Sequence, residues 1–181
     1  MLSSVSVYPF EFYGDGRWNQ KKSIASIGFV VKDGSGKFLD CGGKVVDLYF
    51  PSPVTAECKA IHDIVMNQVP YFCTGIFSKS YENGRKVIVK TDNEVVHMLL
   101  HGQQPKKKSG ETEELLSYLQ DIRETEREYE IKFKRIRSQN NLAHELCVNA
   151  EKQSFSGNSK KKAYKEKKRK YYRISIERNF I

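Results

Sequence analysis

No apolar run in the 181 residues approaches the ~20 needed to span a bilayer, so no helical membrane anchor is expected. Cysteine is scarce and scattered, with four residues at 41, 58, 73 and 147 and no C-x-x-C pair. That spacing argues against a zinc cage and leaves small core thiols as the expected role. Residues 1–7 hold neither a basic cluster nor a long apolar core, which argues against a secretory signal. Reduced thiols without an export signal suit a cytoplasmic location. Internal repeats are absent as well. With 39% hydrophobic and 29% charged residues the composition is globular, and the length fits one domain plus an appendage.

One end of the chain has little acid. Residues 158–181 carry ten Lys and Arg against two Glu, a net of +8; the whole chain is +9, which leaves +1 for residues 1–157. A nearly neutral body with a cationic extension suits a polyanionic partner such as nucleic acid. In that extension Lys161, Lys168 and Arg169 are candidates for phosphate contacts, and Tyr164, Tyr171 and Tyr172 interleave as stacking surfaces. A Ser/Gly/Asn stretch at 153–159 reads as a linker. The expected division is a domain at 1–152 and a basic extension at 153–181.

Within the body, residues 8–14 alternate Phe10 and Phe12 and read as a strand that stops at Asp15-Gly16. Residues 23–31 and 37–48 form two more strands around the turn Asp33-Gly34-Ser35-Gly36. After Pro51 and Pro53, residues 55–67 read as a helix with Ala56, Ala60, Ile61, Ile64 and Val65 on one face. Residues 69–85 read as an extended connection. A short apolar strand follows at 86–91, then a helix at about 93–100 opened by a Thr91-x-x-Glu94 capping box. A polar loop with Lys106, Lys107 and Lys108 leads to a charged helix at 111–128, expected to turn Leu115, Leu116, Leu119 and Ile122 inward. A last strand at 130–136 and a helix capped by Asn140 or Asn141 complete the order. The pattern β-β-β-α-β-α-α-β-α implies a mixed α/β fold, a five-stranded mixed sheet flanked by helices. A right-handed crossover makes strands 1 and 4 neighbours, which gives the order 3-2-1-4-5.

Four short signatures stand at the ends of these elements: Tyr13-Gly14-Asp15-Gly16, Ala56-Glu57, Thr91-Asp92-Asn93 and Arg137-x-x-Asn140-x-x-Ala143-His144. Adjacent strands would bring Asp15 and Asp92 together, with Glu57 and His144 approaching from helix ends. Three acids and a histidine so placed suit a divalent-metal site for phosphodiester cleavage. His97 and His101, four apart on one helix, lack an evident third ligand and read as an ordinary polar face. Trp18 either packs on the sheet or stacks on a nucleotide.

These signatures, in this order over about residues 8–151, resemble the type 1 ribonuclease H family, closest to its short plant- and prokaryote-type branch. The resemblance implies a ribonuclease H-like fold and cleavage of the RNA strand of an RNA–DNA hybrid with two Mg²⁺ or Mn²⁺ ions. It implies that Asp15 bridges both ions while Glu57 and Asp92 complete one side each. Carboxylates supply the hard oxygens that magnesium requires, and their crowding should raise their pKa values. Gly16, Asn19, Ser52, Asn140, Lys106 and Lys107 are the further substrate-contact candidates, although Pro53 and Val54 stand where the family often has amides. No obligate protein partner is evident, so a monomer is expected, and double-stranded RNA is a second possible substrate. The departure is His144, where the family has a fourth acid. Three readings stay open: imidazole replaces the carboxylate, which would favour Mn²⁺; three acids suffice and His144 faces solvent; or the domain binds hybrids without cutting them.

Overall fold

The computed structural model describes residues 10–74, 86–104 and 110–154. Lys106, Lys107 and the basic extension from residue 155 on, with Lys161, Lys168 and Arg169, therefore lie outside the described residues. Three antiparallel strands come first: β1 (Phe10–Asn19), β2 (Ile24–Asp33) and β3 (Phe38–Val46). They are followed by α1 (Pro53–Asp63), α2 (Val69–Thr74), β4 (Lys86–Thr91), α3 (Glu94–Leu100), α4 (Gly110–Thr125), β5 (Glu130–Arg135) and α5 (His144–Ser154). The sheet order is β3-β2-β1-β4-β5, with β4 parallel to both β1 and β5. The mixed sheet and its order are those expected from the crossover rule.

The alternation that marks β1 as a strand decides which face receives which helix. Phe10 and Phe12 are fully buried on the face covered by α1, where Ile61, Ile64 and Val65 meet them. Further along the same face stand Gly14 and Gly16. A Cβ on Gly16 would lie 2.1 Å from the Ala56 carbonyl oxygen, so only glycine lets α1 approach the strand this closely. The opposite face is closed by α5 in the same way. Gly28 and Gly43 are paired across β2 and β3, and a Cβ on them would lie 2.7 Å from Ala143 O and 2.6 Å from Leu146 O. Backbone contact on both faces thus clamps the middle of the sheet between two helices.

Several local expectations are corrected. Strand β1 does not stop at Asp15-Gly16 but runs on to Asn19, because β2 pairs with it without a break from Phe10↔Asp33 to Asn19↔Ile24. Asp15 is therefore a rigid mid-strand residue and not part of a turn. The stretch after α1 is helical rather than extended. A π-helical turn at Ile64–Gln68, in which the Val69 N–H reaches back to Ile64 O, leads directly into α2. Pro70 has no N–H to continue an i→i−4 ladder, and a wide turn beside it is a common accommodation. Burial of Phe72 against Phe10 and Phe12, with ring centroids 5.7 and 5.9 Å away, outweighs the local signal for a break. Residues 75–85 lie outside the described residues.

The N-cap of α3 is Asn93, whose side chain accepts from the Val96 N–H; Thr91 instead accepts from the Asn93 N–H. Leu116 is exposed, lying at the edge of the helix face, and Leu115, Leu119 and Ile122 form the buried stripe of α4. Helix α5 continues to Ser154, past the expected start of the linker.

The far end of α5 is anchored by one carboxylate. Glu151, only 4% exposed, meets Arg17 Nε at 3.0 Å, Lys22 Nζ at 3.1 Å and Asn19 Nδ2 at 2.6 Å. Burial alone would raise its pKa, but these donors outweigh that and hold it below the usual carboxylate range. A carboxylate with a depressed folded pKa stabilises the fold above its unfolded value and loses that contribution as pH falls through the folded one. Glu151→Gln should cost about 2 kcal/mol at pH 7. Urea unfolding of both proteins should show the difference intact at pH 7 and shrinking below about pH 4.3. In the same assay Gly16→Ala should cost about 3 kcal/mol at any pH, because a backbone carbonyl stands in the way.

Candidate metal centre

Parallel pairing of β1 with β4 ends at Tyr13↔Lys90, and just beyond that point each strand contributes an acid. Asp15 projects from mid-β1 and is 3% exposed; Asp92 follows the end of β4 and is partly buried. Glu57 comes from the second turn of α1, 8% exposed, carried to the same place by the Gly16 contact with Ala56. One carboxylate oxygen from each lies within 4.8 Å of the other two, the one such cluster of three among the described residues. Fixed elements from both layers therefore present hard oxygen donors to a common point.

Crowding has the electrostatic consequence that physics requires. Burial first, then repulsion from Asp15 and Asp92, pushes the Glu57 carboxyl well above the usual range. Burial and the nearby Asp92 raise Asp15 as well, although hydrogen bonds from Glu57 and His144 pull the other way. With no cation between them, this crowding shifts Glu57 toward its protonated form. Glu57 Oε2 is buried and has no hydrogen-bond partner. A buried acceptor without a donor is costly, and a divalent cation is the partner such an atom and its acidic neighbours would suit. The residues present thus fit a hard divalent ion.

His144 stands at the first turn of α5 and directs Nδ1 to Asp15 Oδ2 at 3.0 Å; its side chain is 58% exposed. It touches the cluster through Asp15 and is not one of the three convergent ligands. Glu145, its neighbour in sequence, has no place in the cluster either. Asn140 ends a 3₁₀ turn (Ser138–Asn140) and is exposed, whereas Asn141 is buried and reaches the site. Two adjacent asparagines look alike in sequence; only the packing of the turn separates them. Arg137 caps the 3₁₀ turn without a side-chain hydrogen bond. It lines an open depression of about 500 Å³ with Asp92, Arg135, Ile136 and Ser138.

The other substrate-contact candidates are placed as follows. Gly16 lies against α1. Asn19 is engaged by Glu151 and by the Lys22 N–H. Ser52 is the N-cap of α1, accepting from the Thr55 N–H at 3.0 Å and donating to Glu111. Trp18 is half-buried opposite Ala25 in the β1–β2 ladder. His97 and His101 stack with ring centroids 4.3 Å apart, and no third ligand joins them among the described residues. Cys147 is fully buried and its thiol donates to the Asp15 carbonyl at 2.9 Å, a contact that no sequence spacing signals.

No family model and no curated protein matches the chain. Solved structures do. The RNase H1 of the halophilic archaeon Halobacterium salinarum is 16% identical, with a TM-score of 0.61 over 80% of this chain and 98% of that one. LC11-RNase H1, isolated from compost by a metagenomic approach and solved in complex with an RNA/DNA hybrid, is 20% identical, with a TM-score of 0.62 over 80% and 98%. A foamy viral protease-reverse transcriptase, also solved in complex with an RNA/DNA hybrid, is 14% identical over 83% of this chain and 21% of that one, at a TM-score of 0.56. Strand order, helix placement and these superpositions agree: the chain has the fold of the type 1 ribonucleases H.

Proposed function

We propose that this chain is a metal-dependent endoribonuclease that hydrolyses the RNA strand of RNA–DNA hybrids. The observation that carries the reading is the convergence of Asp15, Glu57 and Asp92, with one buried Glu57 oxygen left unpartnered. A protein that only bound nucleic acid would gain nothing from three mutually repelling acids. The neighbours solved with RNA/DNA hybrids, LC11-RNase H1 and the foamy virus enzyme, support the same substrate class.

In this reading Asp15, Glu57 and Asp92 would together hold two Mg²⁺ or Mn²⁺ ions, with Asp15 as the shared ligand. Bound there, the ions supply activation of an attacking water and stabilisation of the leaving 3′-oxygen, which leaves 5′-phosphate ends. The clamp of α1 on Gly16 holds Glu57 in place before any ion arrives, so little reorganisation accompanies loading. Glu57 would hold an ion as the carboxylate, so metal binding would be favoured as pH rises. His144 steadies Asp15 through Nδ1. The basic extension, with Lys161, Lys168 and Arg169, and the loop with Lys106 and Lys107 add phosphate contacts at a distance from the chemistry.

One observation favours a second reading, a hybrid- or duplex-RNA-binding module without activity. Where the family has a fourth acid, His144 donates to Asp15 and occupies one of its oxygens. A labelled hybrid distinguishes the two. Wild type should cut the RNA strand, and Asp15→Asn or EDTA should reduce the rate on the order of 10³-fold. Equal rates in all three conditions would leave the binding module as the account.

The metal and the tail give further checks. Imidazole beside the ions suits Mn²⁺ better than Mg²⁺. Cleavage should therefore be faster with Mn²⁺ at matched concentration, and His144→Asp should narrow the ratio; identical wild-type rates would argue against ligation by His144. Removing residues 158–181 should flatten the dependence of log K on log[salt] for hybrid binding, by about 0.9 for every phosphate that the extension neutralises. An unchanged slope would take the extension out of the interface.

A further inference from the structure

Asn141 sits in the turn between the 3₁₀ segment and α5 and is 6% exposed. Its side chain joins three separate parts of the site. Nδ2 donates to the Gly14 carbonyl at 2.9 Å and to Asp92 Oδ1 at 3.1 Å, while Oδ1 accepts from the Ala143 N–H at 3.2 Å. Both donors of the amide are thus in use, one on each strand that carries an acid.

The reason for an amide here lies in the register. The β1–β4 ladder ends at Tyr13↔Lys90, and Gly14 is one residue beyond it. The strands must part there to make room for the acids, which leaves the Gly14 carbonyl past the last main-chain pair. The carboxamide of Asn141 bridges the gap much as a peptide group would, and a buried carbonyl needs such a donor. Its second N–H is not required for that task. It holds the carboxylate of Asp92, the least buried of the three acids and the one freest to swing into water away from Asp15 and Glu57. Next to Gly14, the Cys147 thiol secures the Asp15 carbonyl, so the β1 backbone at the site is held from the α5 side at two successive residues.

We propose that Asn141 is a positioning residue for the metal centre: by holding one oxygen of Asp92 it keeps that carboxylate aimed at Asp15 and Glu57 against their mutual repulsion. The role deepens the nuclease reading and rests on it, since it requires a cation at the three acids.

Calorimetric titration of Mn²⁺ into the full chain tests this without relying on activity. Asn141→Ala should bind Mn²⁺ about 10- to 100-fold more weakly, the usual effect of removing a group that orients a ligand. Its cleavage rate should recover as Mn²⁺ is raised to saturation, so the defect appears in metal affinity more than in kcat. Lys44→Met, which breaks the 2.7 Å contact with Asp63 at the C-terminal end of α1, serves as a control for loss of a polar contact remote from the acids and should keep wild-type affinity. Mn²⁺ binding within about twofold of wild type in Asn141→Ala, or an equal loss in both variants, would overturn the role. Should Asn141→Ala fail to fold, Asn141→Ser retains one donor and should show an intermediate loss; wild-type affinity there overturns the role equally. If the unsubstituted chain takes up no Mn²⁺, the nuclease reading and this role fall together. If it binds Mn²⁺ and cuts while Asn141→Ala matches it in both, only the role of Asn141 falls.

Discussion

Everything in this fold is arranged around the repulsion between three carboxylates held in a largely buried place. Asp15 and Glu57 are nearly inaccessible, and Asp92 lies close enough to act on both. Left to themselves, such groups would move apart or take up protons, and the Glu57 carboxyl is indeed pushed well above its usual range. Holding them together is therefore work done by the scaffold, and its main elements can be read as the means of doing it.

The scaffold works by backbone contact more than by side-chain packing at the level of the acids. Glycine at position 16 brings the α1 main chain against β1, while Gly28 and Gly43 do the same for α5 on the other face. A methyl group at Gly16 would lever α1 outward and draw Glu57 away from the other two acids, and one at Gly28 or Gly43 would displace α5, which carries His144 and Cys147. Lower in the sheet, where no approach so close is needed, large side chains take over. Phe10, Phe12 and Phe72 fill the space that the glycines leave empty above, so the helix is tight at the site and cushioned away from it. Dense interiors are barely compressible and transmit strain, so this division favours one arrangement over a range of them.

The same division explains what could be read from the chain. Strand β4 and the neighbouring positions of β1 and β4 followed from a short apolar run and the crossover rule, both local or topological facts. Asp15, Glu57 and Asp92 were visible because each sits in a recognisable signature, even though Asp15 lies in mid-strand and not at the strand end. What escaped were features set by tertiary contact. Phe72 draws residues 69–74 into a helix that Pro70 argues against locally, and β2 extends β1 past Asp15 by pairing with it. Asn93 displaces Thr91 as a cap because the strand runs to Thr91 itself. The choice between Asn140 and Asn141 depends on which of them the turn buries, and no periodicity carries that information. Cys147 looks like any small core residue until its partner, the Asp15 carbonyl, is known.

His144 shows how one exchange alters the charge balance of such a site. A fourth acid at that position would add a further repulsive neighbour to Asp15, raising the cost of the empty centre and strengthening its pull on cations. Imidazole does the opposite on both counts. Its Nδ1 meets Asp15 Oδ2 as a partner, which eases the crowding, and it brings no negative charge to help hold an ion. A centre with three acids and an imidazole is thus easier to fold without metal and less attractive to metal once folded. If divalent ions bind there as proposed, the aim of each remaining carboxylate would matter more, because fewer charges would share the task of holding them. That places the greater demand on the groups that hold Asp92 and the β1 backbone, Asn141 and Cys147, and both are supplied from the α5 side, where the exchange itself occurred.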